Sequence, residues 1–512
     1  MGALEEQLFR SGLPVEALME KAALAVARRL LERERQRLER HGAVVLAGPG
    51  HNGGDGLVVA RELHLAGIAV AIWSPYERHK PLTANHLAHA QWLGLPRLKA
   101  PPPPELPALW IDALFGIGQH RSPDPPIQAL FCARQRHQPG GLVAVDVPTG
   151  LCADSGTCLG ESAAVAQLTL CIGLLKQGLV QDGALRWVGE VERLDLGLPS
   201  GLLAALPDHQ PLALRESDLA GAPWPTPERA AGKYGRGRLL VVAGSPRYRG
   251  AASLALAGAS ASGCGSLQAA LPEELAANLW SSAPHVVVRR PLRAAPGGGL
   301  LLADLVAADF ERMDAVVLGP GIGGPAALSD AGAGDALAWE MLQQFPGLLV
   351  LDADGLNRLA SRGVPAVDWL RQRPGPTWLT PHRGEFARLF PALEPLPALD
   401  AARAAAEASQ CCVLLKGAHS LIASPDGNCW QLLNTAPSAA RAGLGDVLAG
   451  YAAGLGAQGL ATGTGAGPDR LATAALAHAC SAMQLARQGP GCASPGAVAA
   501  GLARIGAQEL SG

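Results

Sequence analysis

Residues 434–450 read NTAPSAARAGLGDVLAG, a glycine-bearing turn that leads into an apolar helix. Gly443 and Gly445 let the backbone approach a ligand without a Cβ in the way. The free N–H groups at the start of the helix favour negative charge nearby. Asp446 lies at this boundary, where it fits either a helix N-cap or a general base beside a phosphate-binding loop. The stretch alone leaves both interpretations open.

The composition fits a globular protein of two or three domains, since the chain has 512 residues, of which 48% are hydrophobic. Charged residues make up 17% and the formal net charge is −2, so no basic surplus points to nucleic acid. We expect no signal peptide and no membrane span, because no apolar run is long and unbroken enough. The ten cysteines form no CxxC pair, which predicts reduced thiols in a cytoplasmic enzyme rather than disulfides or a metal cluster.

Short apolar strands alternate with helices along the chain, a pattern that predicts parallel sheets covered on both faces. We expect two such series, and therefore an α/β fold of two domains, in residues 1–205 and 231–512. Residues 206–230 lose the periodicity and gather proline and polar residues, which predicts a linker. The predicted strands are 43–47, 68–73, 109–114, 141–146 and 168–172 in the first domain, and 238–243, 285–288, 315–318, 348–351, 377–380 and 412–415 in the second.

Three polar segments of the first series each follow a predicted strand: residues 48–56, 112–118 and 146–150. Ligands of an open parallel sheet sit at the carboxyl ends of its strands, so we expect the three segments to share one pocket. The glycines of the first segment would let its N–H groups cradle a phosphate. Asn52, Asp112 and Thr149 offer hard oxygen ligands for an alkali or alkaline-earth cation. Singly, each segment also fits a tight turn or a helix cap, whereas together they favour a binding site.

Together with the Leu-Met-Glu segment at 18–20, these three segments resemble the epimerase domain of NAD(P)H-hydrate repair enzymes, over nearly all of residues 5–200. The resemblance implies a Rossmann-like parallel-sheet sandwich that interconverts the R and S hydrates of NADH and NADPH, called NADHX and NADPHX. It also implies the residues that contact this substrate: His51, Asn52, Gly53, Gly54, Asp55, Gly116, Ile117, Gly118 and Ser122.

The same resemblance implies a K⁺ site formed by Asn52, Asp112 and Thr149. It makes Asp146 the acid–base residue at the epimerised carbon. The chain departs from the family where Thr149 replaces the usual Ser and His51 the usual Asn. Threonine keeps the hydroxyl and hence a K⁺ ligand, whereas His51 is bulkier and titratable. Lys176 matches a family lysine near the pocket, although a surface lysine would fit the sequence as well.

Five polar segments follow predicted strands of the second series, before the stretch at 434–450: residues 244–252, 319–323, 352–357, 380–385 and 416–420. A single glycine-rich turn or loop histidine carries little information. The repeated order of strand and loop, ending in Gly-Leu-Gly-Asp and a helix, is far more specific. Over roughly residues 215–508 the series resembles the ribokinase-like superfamily, and within it the ADP/ATP-dependent NAD(P)H-hydrate dehydratase.

By this resemblance, four residues contact the hydrated dinucleotide: Ala251, Gly321, His382 and Asp446. Six residues contact the adenine nucleotide: Lys416, Gly417, Ala418, His419, Ser420 and Gly445. Mg²⁺ is expected with ADP or ATP, and Asp354, Asn357 and Glu385 fit the organisation of either Mg²⁺-bound water or phosphate. Leu444 replaces the family's usual Thr, which removes one hydroxyl contact but keeps the backbone donors, and Arg441 lies just upstream.

A kinase-like site suits removal of the hydroxyl from C6 of the hydrated nicotinamide, because water is a poor leaving group and phosphate a good one. Asp446 would accept the hydroxyl proton as a general base, and the amides of residues 443–445 would stabilise the transferring phosphoryl group. The sequence therefore predicts a bifunctional repair enzyme with small-molecule partners, no nucleic acid or membrane partner, and a homo-oligomeric state. The alternative is a ribokinase-like small-molecule kinase whose first domain is a non-catalytic binding module.

Overall fold

A computed structural model describes residues 1–226, 228, 231–328 and 335–510, with the side chains of the last helix described up to residue 505. The chain divides into two compact units, Met1–Pro207 and Asp208–Gly512. Each unit is built on one largely parallel sheet with helices, which confirms the predicted two-domain α/β class. In the part of the chain that is described, no helix is both long and apolar enough to cross a membrane.

The first unit contains one sheet of seven parallel strands in the order β3-β2-β1-β4-β5-β6-β7. The strands are β1 (Ala43–Ala47), β2 (Val70–Trp73), β3 (Arg97–Leu98), β4 (Leu109–Ala113), β5 (Leu142–Val145), β6 (Leu168–Ile172) and β7 (Glu190–Leu194). The helices are α1 (Gly2–Arg10), α2 (Val15–His41), α3 (His51–Leu65), α4 (Pro81–Trp92), α5 (Pro125–His137), α6 (Leu185–Val188) and α7 (Ser200–Ala204).

The central strands of this sheet are largely apolar because both faces are covered. All residues of β1, β4, β5 and β6 are buried. Val45 and Ile111 face a core shared with α2 and α3, while Val44 and Trp110 face a second core on the opposite side. Edge strand β7 is largely exposed, and its glutamates form ion pairs with arginines of α2.

The second unit contains one sheet of ten strands in the order β11-β10-β9-β12-β13-β14-β15-β16-β17-β8. The strands are β8 (Leu212–Leu214), β9 (Arg238–Val242), β10 (Ser266–Pro272), β11 (Val287–Leu292), β12 (Ala315–Leu318), β13 (Leu348–Leu351), β14 (Thr377–Leu379), β15 (Cys412–Leu415), β16 (Leu421–Ala423) and β17 (Cys429–Leu432). The helices are α8 (Arg249–Ala261), α9 (Glu273–Ser282), α10 (Ala307–Phe310), α11 (Asp335–Gln344), α12 (Ala353–Ala360), α13 (Ala366–Arg371), α14 (Arg383–Leu389), α15 (Ala398–Ser409), α16 (Leu444–Ala461), α17 (Pro468–Gln488) and α18 (Pro495–Leu510). Short 3₁₀ turns lie at Gln177–Val180 and Asp182–Ala184 in the first unit, and at Glu216–Gly221, Lys233–Arg236, Leu302–Asp304, Pro325–Leu328, Pro391–Leu393 and Pro437–Ala439 in the second.

The segment predicted as a linker, residues 206–230, is in part a component of the second unit. Strand β8 pairs in parallel with β17 at the edge of the ten-stranded sheet. The linker prediction is wrong here because a three-residue strand is too short to show an alternating pattern. Residues 227, 229 and 230 of that segment lie outside the described residues.

The remaining strand predictions of the second unit are mostly confirmed within one or two residues. The exceptions are β11, which begins two residues later and ends four residues later than the predicted strand 285–288, and three strands that were not predicted: β10, β16 and β17. Antiparallel pairing of β15, β16 and β17 turns the sheet from parallel to mixed at this end.

Helices α8 and α16 pack at backbone contact distance in the core of the second unit. A Cβ on Gly450 would lie 1.9 Å from the carbonyl oxygen of Ala255, and one on Gly258 would lie 2.0 Å from that of Val447. Only glycine allows the two helix backbones to approach this closely. Because α16 carries Asp446 in its first turn, this contact also fixes the position of that carboxyl group.

We expect Gly450→Ala to lower the free energy of unfolding of the second unit by about 1–3 kcal/mol, because the added methyl group must separate two helices. The measurement is the urea unfolding midpoint of the full chain. Gly496→Ala is the matched control, since a Cβ there meets nothing within 4 Å. A Gly450→Ala protein as stable as the control would contradict the close helix contact.

Candidate active sites

The first sheet reverses its strand order between β1 and β4, which leaves a crevice at the carboxyl ends of these strands. The two strand ends are joined because Gly48 N–H donates to the carbonyl oxygen of Ala113 at 3.1 Å. A cavity of about 420 Å³ opens there. It is lined by seven predicted site residues: His51, Asn52, Asp55, Gly116, Ile117, Gly118 and Asp146. Ser122 is not part of the lining, and its hydroxyl accepts a hydrogen bond from Gln128 Nε2 at 2.9 Å.

Helix α3 begins at His51, within the polar segment 48–56. Gly53 and Gly54 are therefore buried in its first turn. A Cβ on Gly53 would lie 1.9 Å from the carbonyl oxygen of Gly48, and one on Gly54 would lie 2.8 Å from a methionine side chain. These glycines serve close packing, and their contact with a substrate stays a prediction.

Asp146 follows β5 with a φ of +68°, in the left-handed region that residues other than glycine rarely adopt. The side chain is held because Ile172 N–H donates to its Oδ1 at 3.1 Å and Lys176 Nζ donates to the same oxygen. The side chains of Lys176 and Asp146 are only 6% and 11% exposed. Burial lowers the pKa of Lys176, but Asp146, Cys171 and Glu5 together outweigh it, so the pKa is raised overall. Lys176 is thus an ion-pair partner of Asp146 and not a surface lysine.

Three further residues line this cavity that the sequence did not single out: Glu5, Lys80 and Gln119. Burial and the charge of Asp146 raise the pKa of Glu5. Burial, Asp146 and Glu5 together raise the pKa of Asp55 well above its usual value. No motif marks Glu5 in the sequence, because it lies in a short helix far from the other site segments. In the sequence, only the apolar pair Leu4 and Leu8, at helical spacing around Glu5, indicates that this helix packs against the fold.

Asp112 and Thr149 lie behind the cavity and are fully buried. Asp112 Oδ1 accepts from Thr149 Oγ1 at 2.8 Å, and its Oδ2 accepts from Thr149 N–H at 2.8 Å. Burial raises the pKa of Asp112 to about 6, although these hydrogen bonds lower it. Asn52 packs beside Gly116, and its buried Nδ2 has no hydrogen-bond partner among the described residues. The three predicted ligands therefore flank the same segment, 112–116.

The second sheet reverses its strand order between β9 and β12, at the segments that follow these two strands. Gly244 N–H donates to the carbonyl oxygen of Pro320 at 2.8 Å and joins the two segments. Gly321 has a φ of +64°, and a Cβ on it would lie 2.6 Å from the Cβ of Ala251. The fold therefore places the predicted substrate contacts Ala251 and Gly321 side by side.

Lys416 lies at the centre of a buried charge cluster at the ends of β13, β14 and β15. Its Nζ donates to Asp352 Oδ1 at 2.6 Å and lies 3.9 Å from Glu385 Oε2. Asp352 also accepts from Thr380 Oγ1 at 2.8 Å. Burial lowers the pKa of Lys416, but the two carboxylates outweigh it and raise the pKa. His382 caps α14 through its Nδ1, and its Nε2 lies 3.3 Å from Glu385 Oε1.

The other predicted nucleotide contacts form the turn between β15 and β16. Gly417 N–H donates to Ser420 Oγ at 3.3 Å, which closes the turn, and Ala418 and His419 lie within it. His419 is buried, with Nδ1 3.0 Å from the carbonyl oxygen of Leu432, so its side chain points into the fold.

Asp354 and Asn357, the two predicted Mg²⁺ organisers of α12, lie next to each other. Gly323 N–H donates to Asp354 Oδ2 at 2.9 Å, and Asn357 Nδ2 donates to Asp354 Oδ1 at 3.4 Å. Asp354 therefore faces the segment after β12 that carries the predicted substrate contact Gly321.

Asp446 is the third residue of α16, because the helix begins after Gly443, whose φ of +92° only glycine adopts readily. The N-cap interpretation is therefore wrong, since Gly443 holds that position and no side chain caps the helix. Burial and the nearby Asp352 raise the pKa of Asp446 to about 7, although Lys416 lowers it. A carboxyl group with this pKa can both accept and release a proton near neutrality.

The residues around Asp446 explain the departures noted in the sequence. A Cβ on Gly445 would lie 3.5 Å from Lys416 Nζ, so the first turn of α16 lies next to the charge cluster. Leu444 packs against the main core of the unit. Arg441 Nη2 donates to the carbonyl oxygens of Ser438 and Pro490, at 3.2 and 2.6 Å, and thereby secures the turn.

The chain is similar to known proteins over both units. One family model, described as NAD(P)H-hydrate dehydratase, matches residues 239–497, and another, described as YjeF-related protein N-terminus, matches residues 15–178. The bifunctional NAD(P)H-hydrate repair enzyme Nnr of Gloeobacter violaceus is 43% identical over 461 residues, which cover 89% of this chain and 87% of the relative. The protein of the same name from Synechocystis is 42% identical over 462 residues, with coverages of 90% and 84%. The chain belongs to the bifunctional NAD(P)H-hydrate repair enzymes.

Among solved structures, the ADP/ATP-dependent NAD(P)H-hydrate dehydratase from Bacillus subtilis, co-crystallised with ATP and Mg²⁺, is 24% identical and aligns with a TM-score of 0.46. The alignment covers 59% of this chain and 99% of that protein. Membership in the bifunctional repair enzymes confirms the family predicted from the sequence. It favours that prediction over the small-molecule kinase, because the similarity to the curated relatives runs through both units of the chain.

Proposed function

We propose that the chain repairs hydrated nicotinamide dinucleotides in two steps. The first unit interconverts the R and S forms of NADHX and NADPHX, and the second dehydrates the S form to NADH or NADPH at the expense of ADP or ATP. The observation that supports this proposal is that each unit holds an aspartate carboxyl group near the carboxyl ends of its parallel strands. Asp146 lines the cavity of the first unit, and Asp446 lies near Asp352 and Lys416 in the second. Two separate centres match a family that is bifunctional.

In the first unit, the dinucleotide occupies the cavity beside α3. His51, at the N-terminus of this helix, and Lys80 line the same cavity, and free N–H groups at a helix start favour phosphate. Asp146 then takes the hydroxyl proton at C6 of the hydrated ring, while Lys176 fixes the carboxylate in position. The left-handed backbone of Asp146 is a strained conformation, as is often found where a side chain must be aimed at a reacting atom.

K⁺ fits the oxygen-rich group formed by Asn52, Asp112 and Thr149. Asp112 brings one buried negative charge, and no salt bridge to it forms in the part of the chain that is described. A monovalent cation would balance that charge without the rigid geometry that Mg²⁺ requires. When bound, K⁺ would supply a fixed positive charge beside the dinucleotide. We expect Asn52 to contribute its amide oxygen, Asp112 a carboxylate oxygen and Thr149 its hydroxyl.

In the second unit, the C6 hydroxyl oxygen attacks the terminal phosphorus of the nucleotide, and its proton passes to Asp446. The N–H groups of the first turn of α16 and the ammonium group of Lys416 stabilise the charge on the transferring phosphoryl group. The C6–O bond then breaks with its electron pair leaving on phosphate. Loss of a proton from C5 restores the C5–C6 double bond. Mg²⁺, organised by Asp354, Asn357 and Glu385, would neutralise the nucleotide phosphates.

The two carboxyl groups should be separable by mutation. We expect Asp446→Asn to lower nucleotide-dependent dehydration of the S hydrate by at least about 100-fold and to leave epimerisation unchanged, because only the second unit loses its base. Asp146→Asn should have the reverse effect. The assay incubates the full chain with mixed NADH hydrates and ADP or ATP, and follows both epimers, inorganic phosphate and the reduced nicotinamide.

Each variant serves as the folding control for the other. An Asp446→Asn protein that repairs the S hydrate at the wild-type rate would contradict the base assignment. A stable phosphorylated product without recovery of reduced nicotinamide would instead support the small-molecule kinase.

The pH dependence of dehydration should report Asp446. The carboxylate form accepts the proton, and its pKa is raised to about 7, so kcat/KM should fall by about tenfold per pH unit below neutrality. Asp354→Asn removes a negative charge that raises this pKa, so it should move the acid limb to lower pH. The measurement is kcat/KM for the S hydrate across the neutral range. A profile that is flat through neutrality would contradict the proposal.

Exchange of K⁺ for Na⁺ should slow epimerisation and leave dehydration unchanged. Thr149→Val keeps the shape of the side chain but removes its hydroxyl, so we expect it to raise the K⁺ concentration needed by about tenfold. K⁺ should also raise the midpoint of thermal unfolding of the wild type more than that of Thr149→Val. Thr157→Val is the control, since this threonine is exposed. Equal rates in K⁺ and Na⁺ would refute the site.

The end of the first domain at residue 205 and the start of the second at residue 231, the individual substrate and nucleotide contacts, a cytoplasmic location and a homo-oligomeric state remain predictions for this chain. The division of the chain into compact units after Pro207 supports the first of these boundaries.

A further inference from the structure

Glu5 lies in α1, the first helix of the chain, between two buried leucines that anchor this helix in the core. Leu4 and Leu8 are 4% and 9% exposed, whereas the next residue, Glu6, is exposed and pairs with Arg10 at the surface. Glu5 instead lines the cavity of the first unit together with Asp146 and Lys176. The anchored helix therefore holds one carboxyl group over the candidate epimerase centre.

The charges around Glu5 come from every element that surrounds it. Asp146 and Lys176 follow two neighbouring strands, Asp55 lies in α3, and the amino terminus of the chain precedes α1. His51 and Lys80 lie further along the lining. Lys176 is committed to Asp146 and to the carbonyl oxygen of Ile172. No salt bridge to Glu5 forms among the residues that the structure describes.

This inference rests on the proposed epimerisation in the first unit. We propose that Glu5 is a second catalytic residue of that reaction, and gives and takes back a proton opposite Asp146. Asp146 removes the proton of the C6 hydroxyl, whose electron pair forms a carbonyl group, and the C6–N1 bond breaks with its pair moving to N1. N1 takes the proton of Glu5. Rotation of the aldehyde, return of both protons and closure of the C6–N1 bond give the opposite epimer with no net change in atoms or electrons.

Two groups are needed because the base and the acid act at different atoms of the same ring. Asp146 is held as the carboxylate partner of Lys176, which suits the base. Burial and Asp146 raise the pKa of Glu5, which favours the protonated form that the acid requires. Asp55 is the competing candidate, because it lines the same cavity and burial, Asp146 and Glu5 raise its pKa as well.

The test compares Glu5→Gln with the matched control Glu6→Gln on the adjacent, exposed position of the same helix. We expect Glu5→Gln to lower kcat for epimerisation of the R hydrate by about 100-fold or more with little change in KM, and Glu6→Gln to behave as the wild type. Dehydration of the S hydrate by the same samples should be equal in all three proteins. Glu5→Asp should recover part of the rate, because it keeps the carboxyl group.

The pH profile separates an acid from a structural residue. Epimerisation by the wild type should lose rate as rising pH deprotonates Glu5, and Glu5→Gln should lose this basic limb. Wild-type kcat in Glu5→Gln, or a change in KM alone, would overturn the role of Glu5. Loss of the basic limb in Asp55→Asn but not in Glu5→Gln would also overturn it and assign the acid to Asp55. A wild-type chain that does not interconvert the two hydrates would overturn the proposed function itself, and with it this inference.

Discussion

The close approach of backbone segments at the carboxyl ends of parallel strands is the constraint on which both sites depend. A Cβ on Gly48 would lie 1.7 Å from the carbonyl oxygen of Leu114, and one on Gly319 would lie 1.8 Å from that of Asp352. Glycine at these positions lets adjacent strand ends touch, so the segments that follow them face one crevice. Such a segment or the start of the helix after it places most polar groups of the two sites, whereas Glu5 comes from α1.

A second shared feature is a buried aspartate paired with a lysine from another strand end. Asp146 pairs with Lys176 in the first unit, and Asp352 pairs with Lys416 in the second. A buried pair of this kind adds little net stability, but removal of one partner leaves an uncompensated charge. The pairs therefore act mainly to fix charge positions. In the second unit the proposed base is a different residue, Asp446, which lies near Asp352 and has its pKa raised to about 7.

The departures from the family pattern leave this arrangement of polar groups intact. Leu444 replaces a hydroxyl with a side chain that packs in the core, while the backbone donors of α16 remain. Thr149 keeps the hydroxyl, and its hydrogen bond to Asp112 is well formed. Arg441 donates to the carbonyl oxygens of Ser438 in its own turn and of Pro490 between α17 and α18. Chemistry carried by backbone groups is thus insensitive to changes of the side chains around them.

The sequence by itself determined the α/β class, the family and most strands, and it marked Asp146 and Asp446 as candidate acid–base residues, because apolar runs and short motifs are local patterns of the chain. Tertiary structure alone decided that α3 starts at His51, that Lys176 pairs with Asp146, and that Glu5 reaches the same cavity. It also decided that β8 completes the second sheet. These features depend on contacts between residues far apart in the chain. The burial that shifts the pKa of their carboxyl groups exists only once the fold has brought those residues together.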